Sequence, residues 1–151
     1  NTFKSEFGRS HVDDLHDQSL SNISFFVAWM HDNPVGHALV RWSGPREETV
    51  KKDYPDCPEI YRLNVLEEFR EQGIATAIIK RCENEALKRE CKLIGLGTDP
   101  NISPKDNLYK RSGYEPSKVG SYIDTYKTRS DDGTVVTIRK EAQFLIKRIG
   151  G

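Results

Sequence analysis

Cysteine is scarce in this chain of 151 residues. There are three, an odd number, at Cys57, Cys82 and Cys91, and none has Cys-x-x-Cys spacing. No zinc site or other metal is therefore expected, and the count suits a reducing, cytoplasmic location. Long apolar runs are missing too. No stretch approaches the ~20 residues that span a bilayer, and nothing resembles a secretory signal, so no membrane partner is expected. Nor is there an excess of charge. With 23 basic and 23 acidic residues the formal net charge is zero, whereas a general nucleic-acid binder would show a basic surplus. There is no Gly-Lys-Ser/Thr of a P-loop. Gly95 and Gly97 form a lone Gly-x-Gly with no third glycine opening a helix, which does not support a dinucleotide fingerprint.

What is present reads as one domain over residues 1–151 with alternating strand and helix patterns. A short amphipathic stretch predicts a helix from Arg9 to about Gln18. Phe25 to Met30 and Val35 to Trp42 are aromatic and β-branched runs joined through His31-Asp32-Asn33-Pro34, which predicts a hairpin. Ser43 to Pro58 reads as a charged loop. Ile60 to Val65 is extended and apolar. From about Thr76 to Glu90, Ala75, Ile78, Ile79, Cys82 and Ala86 recur at helical spacing, with Lys80, Asn84 and Lys88 opposite. Cys82 lies on that apolar stripe and reads as a small buried hydrophobe. Leu93 to Thr98 is a short buried strand. Ser103 as N-cap and Pro104 in the first turn predict a helix ending near Ser112-Gly113. Strands follow at Ser121 to Thr128 and Thr134 to Lys147, turning at Asp131-Asp132-Gly133, and the length of the second predicts a break near Lys140-Glu141. The order implies an α/β domain with a mixed sheet and helices on both faces.

The informative stretch is Arg70-Glu71-Gln72-Gly73-Ile74-Ala75, between a strand and a helix. The first N–H groups of a helix have no intrahelical partner and point at whatever binds there. Gly73 permits close approach and dihedrals that a Cβ resists, and Arg70 adds a planar fork of donors. Such a turn predicts a phosphate-bearing ligand.

Arg70-x-x-Gly73-x-Ala75 after a strand containing Leu63-x-Val65 resembles the pyrophosphate-binding motif of the GNAT superfamily of acyl-CoA-dependent N-acetyltransferases. Downstream, Leu108-Tyr109-Lys110-Arg111-Ser112-Gly113-Tyr114 is similar to the family's Leu-Tyr-x-x-x-Gly-Phe/Tyr helix end. The two motifs occur in the family's order and separation, and the resemblance covers about Phe25 to Gly150. It implies a mostly antiparallel mixed sheet in which the strand ending at Val65 and the strand from Leu93 run parallel and splay apart to hold acetyl-CoA. The family usually opens with a strand, here expected at Thr2 to Phe7 or absent.

By the same resemblance, the backbone of Leu63 and Val65 would bond the pantetheine arm. Residues Arg70, Gln72, Gly73, Ile74, Ala75 and Thr76 would hold the pyrophosphate. Asn101 stands where the family often bonds the pantetheine, one residue out of the usual spacing, and also reads as a plain turn former. Tyr109 matches the tyrosine that protonates departing coenzyme A, with a core tyrosine as the structural alternative. Glu59, eleven positions before Arg70, matches a general-base glutamate, or is a solvated strand start. Tyr61 would share its side of the strand. His37 in an alternating strand is expected to be structural, and the spacing of His11 and His16 does not suit a metal.

The implied activity is transfer of acetyl from acetyl-CoA to a small-molecule or protein amine by direct attack in a ternary complex, by a monomer or homodimer. The alternative is a non-catalytic acyl-CoA-binding sensor or partner-binding domain on the same fold. Negative charge at Glu47, Glu48, Asp53 and Asp56 is a candidate attraction for an amine, or an ordinary solvated loop.

Overall fold

The computed structural model describes residues 22–102 and 107–150. The expected first strand, the helix from Arg9 and the N-cap at Ser103 lie outside those residues. Strands β1 (Ile23–Met30) and β2 (Asn33–Arg41) form the expected hairpin. Its loop, His31-Asp32, has positive φ at both positions (51° and 69°), as a type I′ turn requires to match the twist of the flanking strands. The loop from Ser43 is interrupted by a single helical turn, α1 (Glu48–Lys51). Next come β3 (Glu59–Val65), a 3₁₀ turn (Glu67–Phe69), α2 (Ile74–Lys88) and β4 (Leu93–Thr98). After them come α3 (Leu108–Arg111), β5 (Glu115–Arg129) and β6 (Val135–Arg148). The strands make one sheet in the order β1-β2-β3-β4-β6-β5. Every pair is antiparallel except β3 with β4. Among the described residues no helix is long and apolar enough to cross a membrane.

The apolar stripe of α2 lies on one face of this sheet. Ile78, Ile79, Cys82 and Ala86 are buried against Val40, Ile60, Ile94 and Leu145. Each isoleucine so buried stabilises the fold by ~1.5–3 kcal/mol. Phe144, which alternation turns to the opposite face from Leu145, packs with Tyr122, Ala142, Cys57 and Val50 of α1. Gly95 and Gly97 serve this second core. A Cβ on Gly95 would lie 2.5 Å from the Phe144 ring, and one on Gly97 would lie 2.5 Å from the Tyr122 hydroxyl. The lone Gly-x-Gly is thus a packing feature.

One residue on the apolar stripe is charged. Glu83 is 3% exposed, accepts from the Tyr114 hydroxyl at 2.8 Å and pairs with Lys147 Nζ at 3.1 Å. These contacts tie α2 to the segment after α3 and to β6, with the penalty of burying a carboxylate offset by three hydrogen bonds.

The long hairpin departs from expectation. β6 runs unbroken through Lys140-Glu141, and β5 begins at Glu115 instead of Ser121. The irregularity lies in β5, whose register shifts between Pro116 and Ser121 around Gly120 (φ 74°). Before Gln143 the strand β6 has not reached β4 and pairs only with β5. Charged residues are tolerated there because Arg139, Lys140 and Glu141 are exposed. Only the inner half of β6 is a core strand.

The parallel contact between β3 and β4 is confined to Glu59↔Gly95 and Ile60↔Leu96. Farther on, β4 stays with β6 while β3 bends away. The bend coincides with a bulge: the β2–β3 register shifts between His37↔Asn64 and Leu39↔Tyr61, and Arg62 sits there at φ 54°. A bulge adds twist to the strand that carries it. The two strands therefore part at their C-terminal ends, as expected.

Candidate active site

The bulge at Arg62 changes which backbone groups and side chains reach solvent. Beyond it, the Leu66 N–H donates to the Val35 carbonyl on the β2 side. Strand alternation then turns the N–H and C=O of Val65 and Leu63 towards the gap beside β4. Arg70 crosses that gap: its Nε donates to the Val65 carbonyl at 3.0 Å. One donor of the expected fork is thus used to brace the turn.

The turn into α2 carries two left-handed residues, Glu71 (φ 62°) and Gly73 (φ 80°). Gly73 is the N-cap, and its carbonyl accepts the first helical bond, from the Ala77 N–H at 3.0 Å. The N–H groups of Ile74, Ala75 and Thr76 precede that bond and so have no partner within the helix. An ideal Cβ on Gly73 would meet nothing within 4 Å, so the turn faces open space. The turn thus has the main-chain geometry that suits an anion.

The turn opens into a cavity of about 610 Å³ lined by Leu63, Val65, Arg70, Gly73, Ile74, Ala75, Thr76 and Tyr109. Sequence reasoning had named all eight. It had not named Phe69, Ile102, Leu108 and Arg111, which also line the cavity. Leu108 and Arg111 stood inside the quoted motif, and Phe69 directly precedes Arg70, but only the fold turns them inward. Gln72 and Asn101 are not among the lining residues. The Gln72 amide donates to the Glu68 carbonyl at 3.5 Å, and the Asn101 N–H donates to the Asp99 carboxylate at 2.8 Å, a turn contact.

Tyr109 is held by α3, whose N-cap Asn107 accepts from the Lys110 N–H at 3.0 Å. Its carbonyl accepts from the N–H groups of Ser112 and Tyr114. The ring packs against the main core, and burial pushes the phenol above its ordinary value. Near neutral pH it is protonated and able to donate.

Before the bulge, side chains of β3 point elsewhere. Ile60 faces α2, so Glu59 and Tyr61 face the opposite side. They line a second cavity of about 770 Å³, which is also lined by β5 residues Asp124 and Tyr126 to Arg129. Glu59 Oε1 accepts from Arg41 at 2.8 Å and from the Arg46 N–H at 3.2 Å. Burial raises the Glu59 pKa, opposed by Arg41. The Arg41 guanidinium also stacks 4.1 Å from the Tyr61 ring centroid. Arg46 clamps the hairpin to this wall through Asp124 (2.7 Å) and the Thr125 carbonyl (2.7 Å). Glu47 is drawn into the same clamp by the Thr125 N–H at 3.2 Å. The two cavities abut along β3, one ending at Arg62 and the other starting at Leu63.

His37 is buried with its ring 6.1 Å from Phe25, within the sheet and away from both cavities. Cys57 and Cys82 are buried, and their thiols are pushed up to about 12 by burial, which leaves no ready thiolate. Among the described residues no group of His, Cys, Asp and Glu is placed to hold a metal ion.

Several solved acetyltransferases share this architecture at low sequence identity. The ribosomal-protein-S18-alanine N-acetyltransferase of Escherichia coli superposes with a TM-score of 0.61 at 14% identity, covering 92% of this chain and 77% of that one. A GNAT family acetyltransferase of Elizabethkingia anophelis with acetyl-CoA bound gives 0.59 at 18%, covering 89% and 82%. The PaiA N-acetyltransferase of Thermoplasma acidophilum, in complex with coenzyme A, gives 0.59 at 13%, covering 96% and 74%. At these identities the likeness speaks for the fold. In sequence, residues 1–114 match the Acetyltransferase (GNAT) family. That match spans three-quarters of the chain and includes both motifs around the splayed strands, so this protein belongs to the GNAT family and is an acyltransferase.

Proposed function

We propose that the protein transfers acetyl from acetyl-CoA to a primary amine by direct attack within a ternary complex. The observation that carries this reading is the meeting of two cavities at the Arg62 bulge. One offers a phosphate cradle and an open strand edge, and the other offers a buried carboxylate. The N–H groups of Gly73 to Thr76 and the remaining donors of Arg70 would hold the pyrophosphate. The open backbone groups of Leu63 and the N–H of Val65, whose carbonyl Arg70 already holds, would take the pantetheine as an added strand. Gln72 and Asn101 have weaker parts in this scheme, since both are engaged in local turns. Relatives solved with acetyl-CoA or coenzyme A bound support the choice of co-substrate.

In the reaction the amine nitrogen forms a bond to the acetyl carbon and the carbon–sulfur bond breaks. Glu59 takes the amine's proton, directly or through water, and Tyr109 gives its proton to the departing sulfur. Burial aids both assignments, bringing the Glu59 pKa nearer to neutrality and keeping Tyr109 protonated. Strand N–H groups of the gap would stabilise negative charge on the acyl oxygen. Positioning two reactants removes much of the entropic barrier. The sensor reading needs neither a carboxylate nor a phenol at the site, so Glu59 and Tyr109 favour transfer over sensing.

Acetyl-CoA binding measured by calorimetry without added metal tests the cradle. Gly73→Asp puts a like charge into the open space beside the helix start and a Cβ on a left-handed residue, and should weaken binding about a hundredfold or more. Undiminished affinity in that variant would remove the cradle from the assignment.

A further inference from the structure

The second cavity differs in charge from the molecule around it. The whole chain is balanced at 23 basic and 23 acidic residues, yet this cavity is lined by five arginine or lysine residues against three carboxylates. All three carboxylates are already paired: Glu59 with Arg41, and Glu47 and Asp124 with Arg46. The surplus is concentrated at the mouth, on β5. Lys127 is exposed and makes no ion pair among the described residues, and the exposed Arg129 donates to a neutral partner, the Gly133 carbonyl, at 2.9 Å. Tyr61 and Tyr126 line the same cavity as the largely buried Glu59. The cavity therefore has a shielded carboxylate, two aromatic rings in its lining and uncompensated positive charge on its exposed β5 residues.

We propose that the acceptor is a primary amine that also carries a carboxylate, with the amine near Glu59 and the carboxylate near Lys127 and Arg129. This rests on the acetyl-transfer reading above and narrows its substrate class. A polycation, whether a polyamine, an aminosugar or a basic peptide tail, would add positive charge to a site that already has too much. A molecule with an amine at one end and an acid at the other matches the observed order of charges. The acidic loop that invited an amine from the sequence is not free to do so at Glu47, which the clamp to β5 consumes.

The test is thiol release from acetyl-CoA with α-, β- and γ-amino acids and an acidic dipeptide, each beside its amide, and with spermidine. Calorimetry of the same amines in the presence of coenzyme A gives binding independently of turnover. At least one carboxylated amine should bind and react about tenfold better than its amide, the scale of one charge-assisted hydrogen bond. The spacer length that works, free amino acid or dipeptide, identifies the source. In the double variant Lys127→Glu, Arg129→Glu that preference should vanish through KM, with kcat much less affected. Preference for spermidine, equal use of acid and amide, or a preference untouched by the double variant overturns the inference while leaving acetyl transfer standing. Failure to bind acetyl-CoA would instead bring down the reading beneath it, and the inference with it.

Discussion

Two cavities meet at Arg62 in β3, and they are assembled from different parts of the chain. The cofactor-side cavity draws mostly on one short stretch, Leu63 to Thr76, with α3 laid across it. The groups it offers include main-chain N–H and C=O whose directions follow from a strand, a bulge and a helix start. The acceptor-side cavity gathers side chains from β2, the loop after it, β3 and the far half of β5, from Arg41 to Arg129. Its character lies in which charges are paired and which are left over. A main-chain site is set by local dihedrals and tolerates many sequences, whereas a side-chain site exists only once distant segments are in register. One fold can therefore keep a constant donor site and vary the acceptor.

If that division is right, variants on the two sides should fail in different ways. The largest effect is expected at Tyr109. Tyr109→Phe keeps the ring packed in the core but removes the proton for the leaving thiolate, so turnover should fall by about 10²–10⁴-fold with acetyl-CoA affinity nearly intact. Full turnover where chemistry limits the rate would make Tyr109 a core tyrosine only. On the other wall, Glu59→Gln should cost nearer the lower end of that range, about 10²-fold, because the carboxylate is shared with Arg41. Its sharper signature is in pH. The base must be ionised, and burial raises its pKa, so activity should rise with pH through a limb above the usual glutamate value of about 4.3. That limb should vanish in Glu59→Gln, and an unchanged profile would hand the base role to water.

The smallest effect on turnover is expected at Glu83, which lines neither cavity. Glu83→Ala leaves Lys147 and the Tyr114 hydroxyl without their buried partner and should lower folding stability by about 3 kcal/mol. Below its lowered melting temperature the variant should still turn over. A denaturant midpoint equal to that of the parent would show that the triad contributes nothing, and that the cradle does not depend on it.

Much of the fold was legible because local rules govern it. The α2 stripe, the β1–β2 hairpin and the short strand at Leu93 follow from periodicity and turn chemistry. The strand–turn–helix was legible for the same reason, down to the left-handed Gly73. Glu83 was not, although its place on the stripe beside Ile79 was a usable signal that a partner had to be found for it. The long hairpin misled through its length, which predicted a break near Lys140-Glu141. Two strands pairing beyond the sheet keep both faces wet, so they can run on without a core and accept charge. The roles of Gly95 and Gly97 depended on Phe144 and Tyr122, nearly fifty and twenty-five residues away, and no spacing rule points to either.

The sequence alone determined the strand–turn–helix that can hold a pyrophosphate, the family it belongs to and the order of elements around it. Those features depend on backbone hydrogen bonds and on residues within a few positions of each other. Only the tertiary structure decided that β3 leaves β4 after two residue pairs, that Arg46 clamps the hairpin over Glu59, and that Lys127 and Arg129 end at the mouth of the second cavity. These are long-range outcomes: a bulge sets the twist of β3, the register of β5 sets which residues arrive opposite it, and pairing then determines which charges remain.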